Sequence, residues 1–287
     1  MPLTALIAVL LAAVTHATWN LAAKRASNSR HFVLLYSAFS VAFYTPVVWW
    51  IVLHERPQLA LVHWLALAAT AVLHLAYSLV LQAGYRASDL SLVYPLARGS
   101  GPLISFFGAV LLLGESITWA SVAGMLLVVS GIVLVTGLFS ERHRAPRAGV
   151  IYGLTTGAFV AAYTVNDGWA VKVLSISPFL VDYAGNLFRL VVLSPVAYFD
   201  RARLSSEARE YFRHALVVAV LGPLGYILVL YALRVAPVSH VAPARELSML
   251  VGTYFGARLL KERAAPVRIA GAACIVTGVM SLAFAEG

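Results

Sequence analysis

Residues 90–115 read LSLVYPLARGSGPLISFFGAVLLLGE, and residues 238–262 read VSHVAPARELSMLVGTYFGARLLKE. Both stretches are long and apolar enough to cross a bilayer, which takes about 20 residues of helix. Each places a proline shortly before an arginine, Pro95 before Arg98 and Pro243 before Arg245, and each ends on a glutamate. Arg98 and Glu115 are 17 residues apart, and so are Arg245 and Glu262. The same order of Pro, Arg and Glu at one spacing marks the stretches as copies of one unit. A second match lies upstream of each, Thr45-Pro46-Val47 in one half and Ser194-Pro195-Val196 in the other.

Further apolar runs flank both copies. Of the 287 residues, 61% are apolar and 11% charged, where a soluble domain carries about a quarter charged. Ten runs stand out: Leu3 to Ala22, His31 to Leu53, Leu61 to Ala83, Leu90 to Leu113, Trp119 to Leu138, Gly149 to Val165, Pro178 to Tyr198, Ala215 to Leu233, Val238 to Leu259 and Val267 to Phe284. Backbone groups in lipid must be bonded internally, so the runs read as helices. They lack the alternation of a transmembrane barrel. The expected fold is therefore an all-α polytopic membrane protein with ten transmembrane helices. These form two five-helix repeats, residues 1–138 and 149–287, joined by a basic loop at 139–148. An odd number of spans per repeat inverts the second, and such halves commonly enclose a central cavity.

The sequence also excludes several classes. Cys274 is the only cysteine, which rules out an intrachain disulfide and a cysteine metal site. The net charge of +9 sits in short loops and leaves no segment for a nucleic-acid module. No phosphate loop, His-Glu-x-x-His motif or serine elbow is present, so neither an enzyme nor a cofactor is expected. The N-terminal run lacks the basic flank of a signal peptide and reads as a retained helix. Alternate loops differ in charge. One face collects fourteen basic residues, among them Arg25, Arg30, Arg147, Arg203 and Arg213, against Arg56, Lys172 and Arg234 on the other. The positive-inside rule puts the first face in the cytoplasm and both termini outside.

His16-Ala17-Thr18-Trp19-Asn20, with Lys24 beyond, opens the chain in a pattern that resembles EamA-type proteins of the drug/metabolite transporter superfamily. So do the stretch from Tyr94 to Pro102 and the segment Leu112-Leu113-Gly114-Glu115. The resemblance covers essentially the whole chain. It implies a bacterial inner-membrane carrier, often an exporter of amino acids or other metabolites. Many such proteins are drawn with both termini in the cytoplasm, and the charge count here departs from that.

Ionisable residues inside a membrane cost roughly 2.5–3.5 kcal/mol each on insertion scales and are functional candidates by default. Arg98 shares a helix face with Ser91, Tyr94, Gly101 and Ser105, which step by three and four. It reads either as lining a cavity or as capping carbonyls of a neighbouring helix. Arg245 is its repeat mate. Glu246 beside it points about 100° away on a helix and so faces another helix, as an ion-pair partner or a proton-carrying group. Asp182, Asn186 and Arg189 share a face, where Asn186 can bridge the charges. His16 and Asn20 share a face next to Trp19, and Tyr163, Asn166 and Asp167 occupy the corresponding region of the sixth run. Gly153 and Gly157, like Gly252 and Gly256, read as helix-packing positions.

The candidate substrate-binding residues are thus Arg98, Arg245, Tyr94, His16, Trp19, Asn20, Glu246, Arg189 and Asn186. The proton-coupling candidates are Glu246, His16 and His240. The expected function is a secondary carrier or facilitator for a small anionic or zwitterionic metabolite, working as a monomer or homodimer. An intramembrane flippase or lipid-handling enzyme, and a non-transporting interaction protein, are the alternatives. The last predicts fully paired interior charges and no cavity.

Overall fold

The computed structural model describes residues 1–26, 29–88, 90–136, 147–248 and 266–284. Among these, every regular element is a helix: α1 (Leu3–Arg25), α2 (Phe32–Glu55), α3 (Leu61–Ala87), α4 (Leu90–Leu113), α5 (Trp119–Thr136), α6 (Arg147–Lys172), α7 (Pro178–Phe199), α8 (Arg201–Val235), α9 (Val238–Ala244) and α10 (Pro266–Phe284). Six of them, α2, α3, α4, α6, α7 and α8, contain stretches long and apolar enough to cross a membrane, while α1, α5 and α10 hold shorter apolar segments. Their outer surfaces are apolar, as contact with lipid requires. Trp49, Trp50, Trp64 and Trp119 are exposed toward one end of the bundle and Tyr198 and Phe199 toward the other, in the manner of interfacial aromatic belts.

The packing repeats across the two halves. α1 packs on α8 as α6 packs on α3, and α2 packs on α8 as α7 packs on α3. The pairs α2·α7, α4·α9 and α5·α10 map onto themselves, which places them on the axis relating the halves. Glycines show the sense of that axis. A Cβ on Gly124 would lie 2.8 Å from the carbonyl oxygen of Gly278, and one on Gly131 would lie 2.6 Å from that of Gly271. As α5 ascends, α10 descends, so these equivalent helices are antiparallel and the second repeat is inverted. Gly153 and Gly157 likewise admit α4: a Cβ on Gly153 would lie 2.7 Å from Leu96 Cβ, and one on Gly157 would collide with Ser100. Gly252 and Gly256 lie outside the described residues.

The bundle has two distinct ends. At one, Gly114 adopts a positive φ of 67° after α4, a conformation glycine takes without strain. The turn sends Glu115 across to α9, where its carboxylate accepts from the amides of Val238 at 2.7 Å and Ser239 at 2.9 Å. Lys172 at the end of α6 stands 3.7 Å from the same carboxylate. At the other end lie the last turn of α1, the starts of α2, α6 and α8, and the basic residues that go with them.

Two expectations need correction here. Residues 201–213 are helical rather than a loop. α8 is 35 residues long, about 50 Å at 1.5 Å per residue, so its polar first turns project beyond a hydrocarbon core of about 30 Å. Hydropathy finds only the lipid-embedded part. The projecting turns are anchored by Glu207, which accepts from Arg203 Nε at 2.8 Å, Ser29 Oγ at 2.7 Å and the backbone amide of His31 at 2.9 Å. It thereby caps the start of α2. Secondly, the run from Val238 is not one uninterrupted helix. α9 ends at Ala244, and the chain turns through Arg245 and Glu246. Pro243 has no N–H for the ladder, and the amide of Glu246 bonds back to Pro243 O, three residues away, at 3.0 Å. Residues 249–265 of that run are outside the described set.

Burial of the Glu207 carboxyl opposes its charge, but the donors from Arg203, Ser29 and the amides of His31 and Arg30 outweigh it and hold the group at about 2, below its ordinary 4.5. A carboxyl held low stabilises the fold above its unfolded value and loses that contribution as pH falls. The melting temperature of wild type should therefore exceed that of Glu207→Gln at neutral pH. The gap should narrow as pH falls from about 4.5 toward 2. Thermal unfolding of both proteins in detergent across that range checks this.

Candidate functional site

Arg98 and Arg245 occupy equivalent places in the two halves, and both line one cavity of about 150 Å³. The walls come from α1, α2, α3, α4, α6, α7 and α8, with Arg245 entering from the turn after α9. The cavity lies toward the basic end. Toward the other end the bundle is filled by Val9, Ala12, Leu67, Ala109, Val171, Val181, Leu230 and Leu233, all buried.

The two arginines are held differently. Arg98 Nη1 is 3.3 Å from Glu246 Oε1, an ion pair that joins α4 to the turn after α9. Glu246 therefore does face another helix and meets an arginine there. Arg245 is buried and donates to Thr164 Oγ1 at 3.2 Å. Its guanidinium stands 5.8 Å from the ring centre of Tyr226 and 6.0 Å from that of Tyr163, within cation–π range. Among the described residues Arg245 forms no ion pair of the kind that holds Arg98.

Two polar groups line the wall beside them. Asn186 Nδ2 donates to Asp182 Oδ2 at 2.9 Å, and Arg189 Nη2 donates to Asn186 Oδ1 at 3.0 Å. Asn186 bridges the two charges, as the spacing suggested. Arg189 also lies 5.8 Å from the ring centre of Tyr36 on α2. Across the cavity, Trp19 Nε1 donates to His16 Nδ1 at 2.8 Å, which fixes both rings.

Of the residues expected from sequence, Arg98, Arg245, His16, Trp19, Asn186 and Arg189 border the cavity. Glu246 stands behind Arg98. His240 does not join them. It borders a separate pocket of about 410 Å³ at the far end, with Glu115 and Lys172. The side chains of Tyr94 and Asn20 are outside the described set.

The sequence reading placed Asp167 with Tyr163 and Asn166 but missed the partners that make it the most deeply buried charge cluster, Thr70, His74 and Tyr226. Asp167 is fully buried. Its Oδ1 accepts from Thr70 Oγ1 and from Asn166 Nδ2, and its Oδ2 accepts from Tyr226 OH, with His74 Nε2 at 3.0 Å. The His74 ring stacks on Tyr163 with 4.1 Å between centres. His74, Tyr163 and Tyr226 all border the cavity. A signal was present: Thr70, His74 and Ser78 step by four along α3, with Tyr77 three residues after His74, and so form a polar stripe.

A duplicated, inverted helical chain around a polar cavity has known relatives. The sequence matches the profile of the EamA-like transporter family over residues 3–137 and again over residues 147–284. The chain belongs to that family. It is thus a multi-pass membrane protein of a transporter family, built from two EamA units. A solved crystal structure, described only as that of a protein, is 16% identical and aligns over 98% of this chain and 97% of its own with a TM-score of 0.70. At that identity the likeness concerns the fold alone. No curated protein matches by sequence.

Proposed function

We propose that this EamA-family protein is a secondary carrier or facilitator that moves a small anionic or zwitterionic metabolite across the bacterial inner membrane by alternating access, as an exporter. Ten spans are divided between the two halves, the basic end faces the cytoplasm and both termini face outward. The observation that carries the proposal is Arg245, a buried guanidinium on the cavity wall beside Tyr163 and Tyr226. Arginine presents a planar fork of donors that suits a carboxylate. The aromatic rings of Trp19, Tyr36, Tyr77, Tyr163 and Tyr226 offer contact to an apolar or cationic remainder of the substrate. Arg98, already paired with Glu246, ties the halves together at the site, and Arg189 adds positive charge beside Asp182.

The cavity supports a carrier over a non-transporting membrane protein, for which no cavity was expected. Its volume, about 150 Å³, matches the size of cavity that accepts benzene in an engineered protein. That favours a substrate of about the size of a small amino acid or organic acid. Counterflow of labelled amino acids, short organic acids and small organic cations into proteoliposomes tests the reading. Exchange of at least one carboxylate-bearing compound is expected. Exchange restricted to cations would contradict it.

A further inference from the structure

Resting on the carrier reading, we propose that Asp167 is the group that carries a coupling proton, with His74 as its relay to the cavity. The assignment moves coupling away from the residues the sequence singled out. Glu246 is engaged with Arg98, His16 accepts from Trp19 on the cavity wall, and His240 lies in the far pocket.

Asp167 sits at the boundary between cavity and seal. On one side, His74 and Tyr226 touch its carboxylate and also border the cavity. On the other side lie Ala170, Val171, Ile176 and Val238, each buried, which close the bundle toward the Glu115 end. Asp167 is itself only five residues from the end of α6 at that side, about 8 Å along the helix. Parting of the seal would bring it to water at the outer face. In the sealed state its contacts among the described residues lead inward to the cavity, through His74 and Tyr226. A group whose access changes sides with the state of the protein is what coupling to a proton gradient requires.

The hydrogen bonds give the direction of coupling. Both oxygens of Asp167 are engaged: Oδ1 accepts from Thr70 and Asn166, and Oδ2 accepts from Tyr226 with His74 Nε2 at 3.0 Å. Hydrogen bonds to a carboxylate are charge-assisted and roughly twice as strong as those to a neutral group. Protonation therefore weakens the contacts that tie α6 to α3 and α8, and so favours the state open at the far end. The charged and titratable groups around it are His74 from α3, Tyr226 from α8, Asp182 and Arg189 from α7, Arg245 from the turn after α9 and Tyr163 on α6 itself. α4 meets this level of α6 at Gly108, beside Val165, and adds no charge there.

The test needs no substrate. Spin labels on Gln58→Cys and Val173→Cys, in a Cys274→Ser background, would report the separation of the halves at the far end in reconstituted protein. In wild type the distance distribution should shift to longer values as pH falls, and the shift should persist when choline replaces sodium. Asp167→Asn should show the long distances at every pH. A wild-type distribution that ignores pH, a shift that depends on sodium, or a normal pH response in Asp167→Asn would each overturn the proposal. Should Asp167→Asn fail to fold, His74→Gln is read instead, and an unchanged midpoint in that protein is equally fatal. A protein that transports yet shows no pH-driven shift keeps the carrier reading and loses this one.

Discussion

Arg245→Ala is expected to lower the rate of carboxylate transport at subsaturating substrate by about 10- to 100-fold while leaving a folded protein. A hydrogen bond to a charged group contributes about 1.5–3 kcal/mol, and 1.4 kcal/mol corresponds to a factor of ten. The guanidinium lies on the cavity wall and is satisfied from within the protein by Thr164 and the rings of Tyr163 and Tyr226. Its removal leaves no buried carboxylate stranded. Arg98→Ala should behave differently. It removes the ion-pair partner of the buried Glu246, and breaking a buried pair costs about 3–5 kcal/mol. That variant should lose melting temperature, and Arg98→Met combined with Glu246→Leu should regain it. Arg245→Lys keeps the charge but not the planar fork, so only part of the transport rate should return. Initial rates in proteoliposomes, paired with melting curves in detergent, separate the two arginines.

Gly131→Leu is expected to abolish assembly of the native bundle. A Cβ at this position would stand 2.6 Å from the carbonyl oxygen of Gly271 and 2.6 Å from Ile275 Cγ1. The first is backbone and has no rotamer through which to withdraw. Even a single added methylene in a packed core costs about 1–3 kcal/mol, and leucine adds a branched side chain where two helices meet backbone to backbone. Gly185→Leu is the control, because no atom lies within 4 Å of a Cβ there. Size-exclusion profiles of the two variants should differ, with Gly131→Leu aggregated and Gly185→Leu monodisperse.

Much of the fold was legible because lipid imposes it. The run from Leu90 to Leu113 coincides with α4, since hydropathy marks the part of a helix that lipid surrounds. The same property hid the first turns of α8, which are polar and held by Glu207 outside the apolar layer. The repeat of Pro, Arg and Glu was visible because it is a pattern along the chain. The convergence on Asp167 was not, because its partners come from afar: Thr70 is 97 residues away, His74 is 93 and Tyr226 is 59. The polar stripe of α3 and the group around Asp167 on α6 were each legible along the chain, but not that the two meet. The ion pair of Arg98 and Glu246 was half legible. The helix angle showed that Glu246 had to face a neighbour, and only the packing of α4 against the turn after α9 showed which arginine it met.

The central claim is that Arg245 holds a carboxylate inside the shared cavity. A four-way binding comparison tests it most directly. Affinity would be measured for a transported carboxylate and for its uncharged primary amide, each with purified wild type and with Arg245→Ala. If the carboxylate sits on Arg245, the two changes are not additive: wild type should prefer the acid by at least tenfold, and Arg245→Ala should bind acid and amide alike. An undiminished preference for the acid in Arg245→Ala would contradict the account.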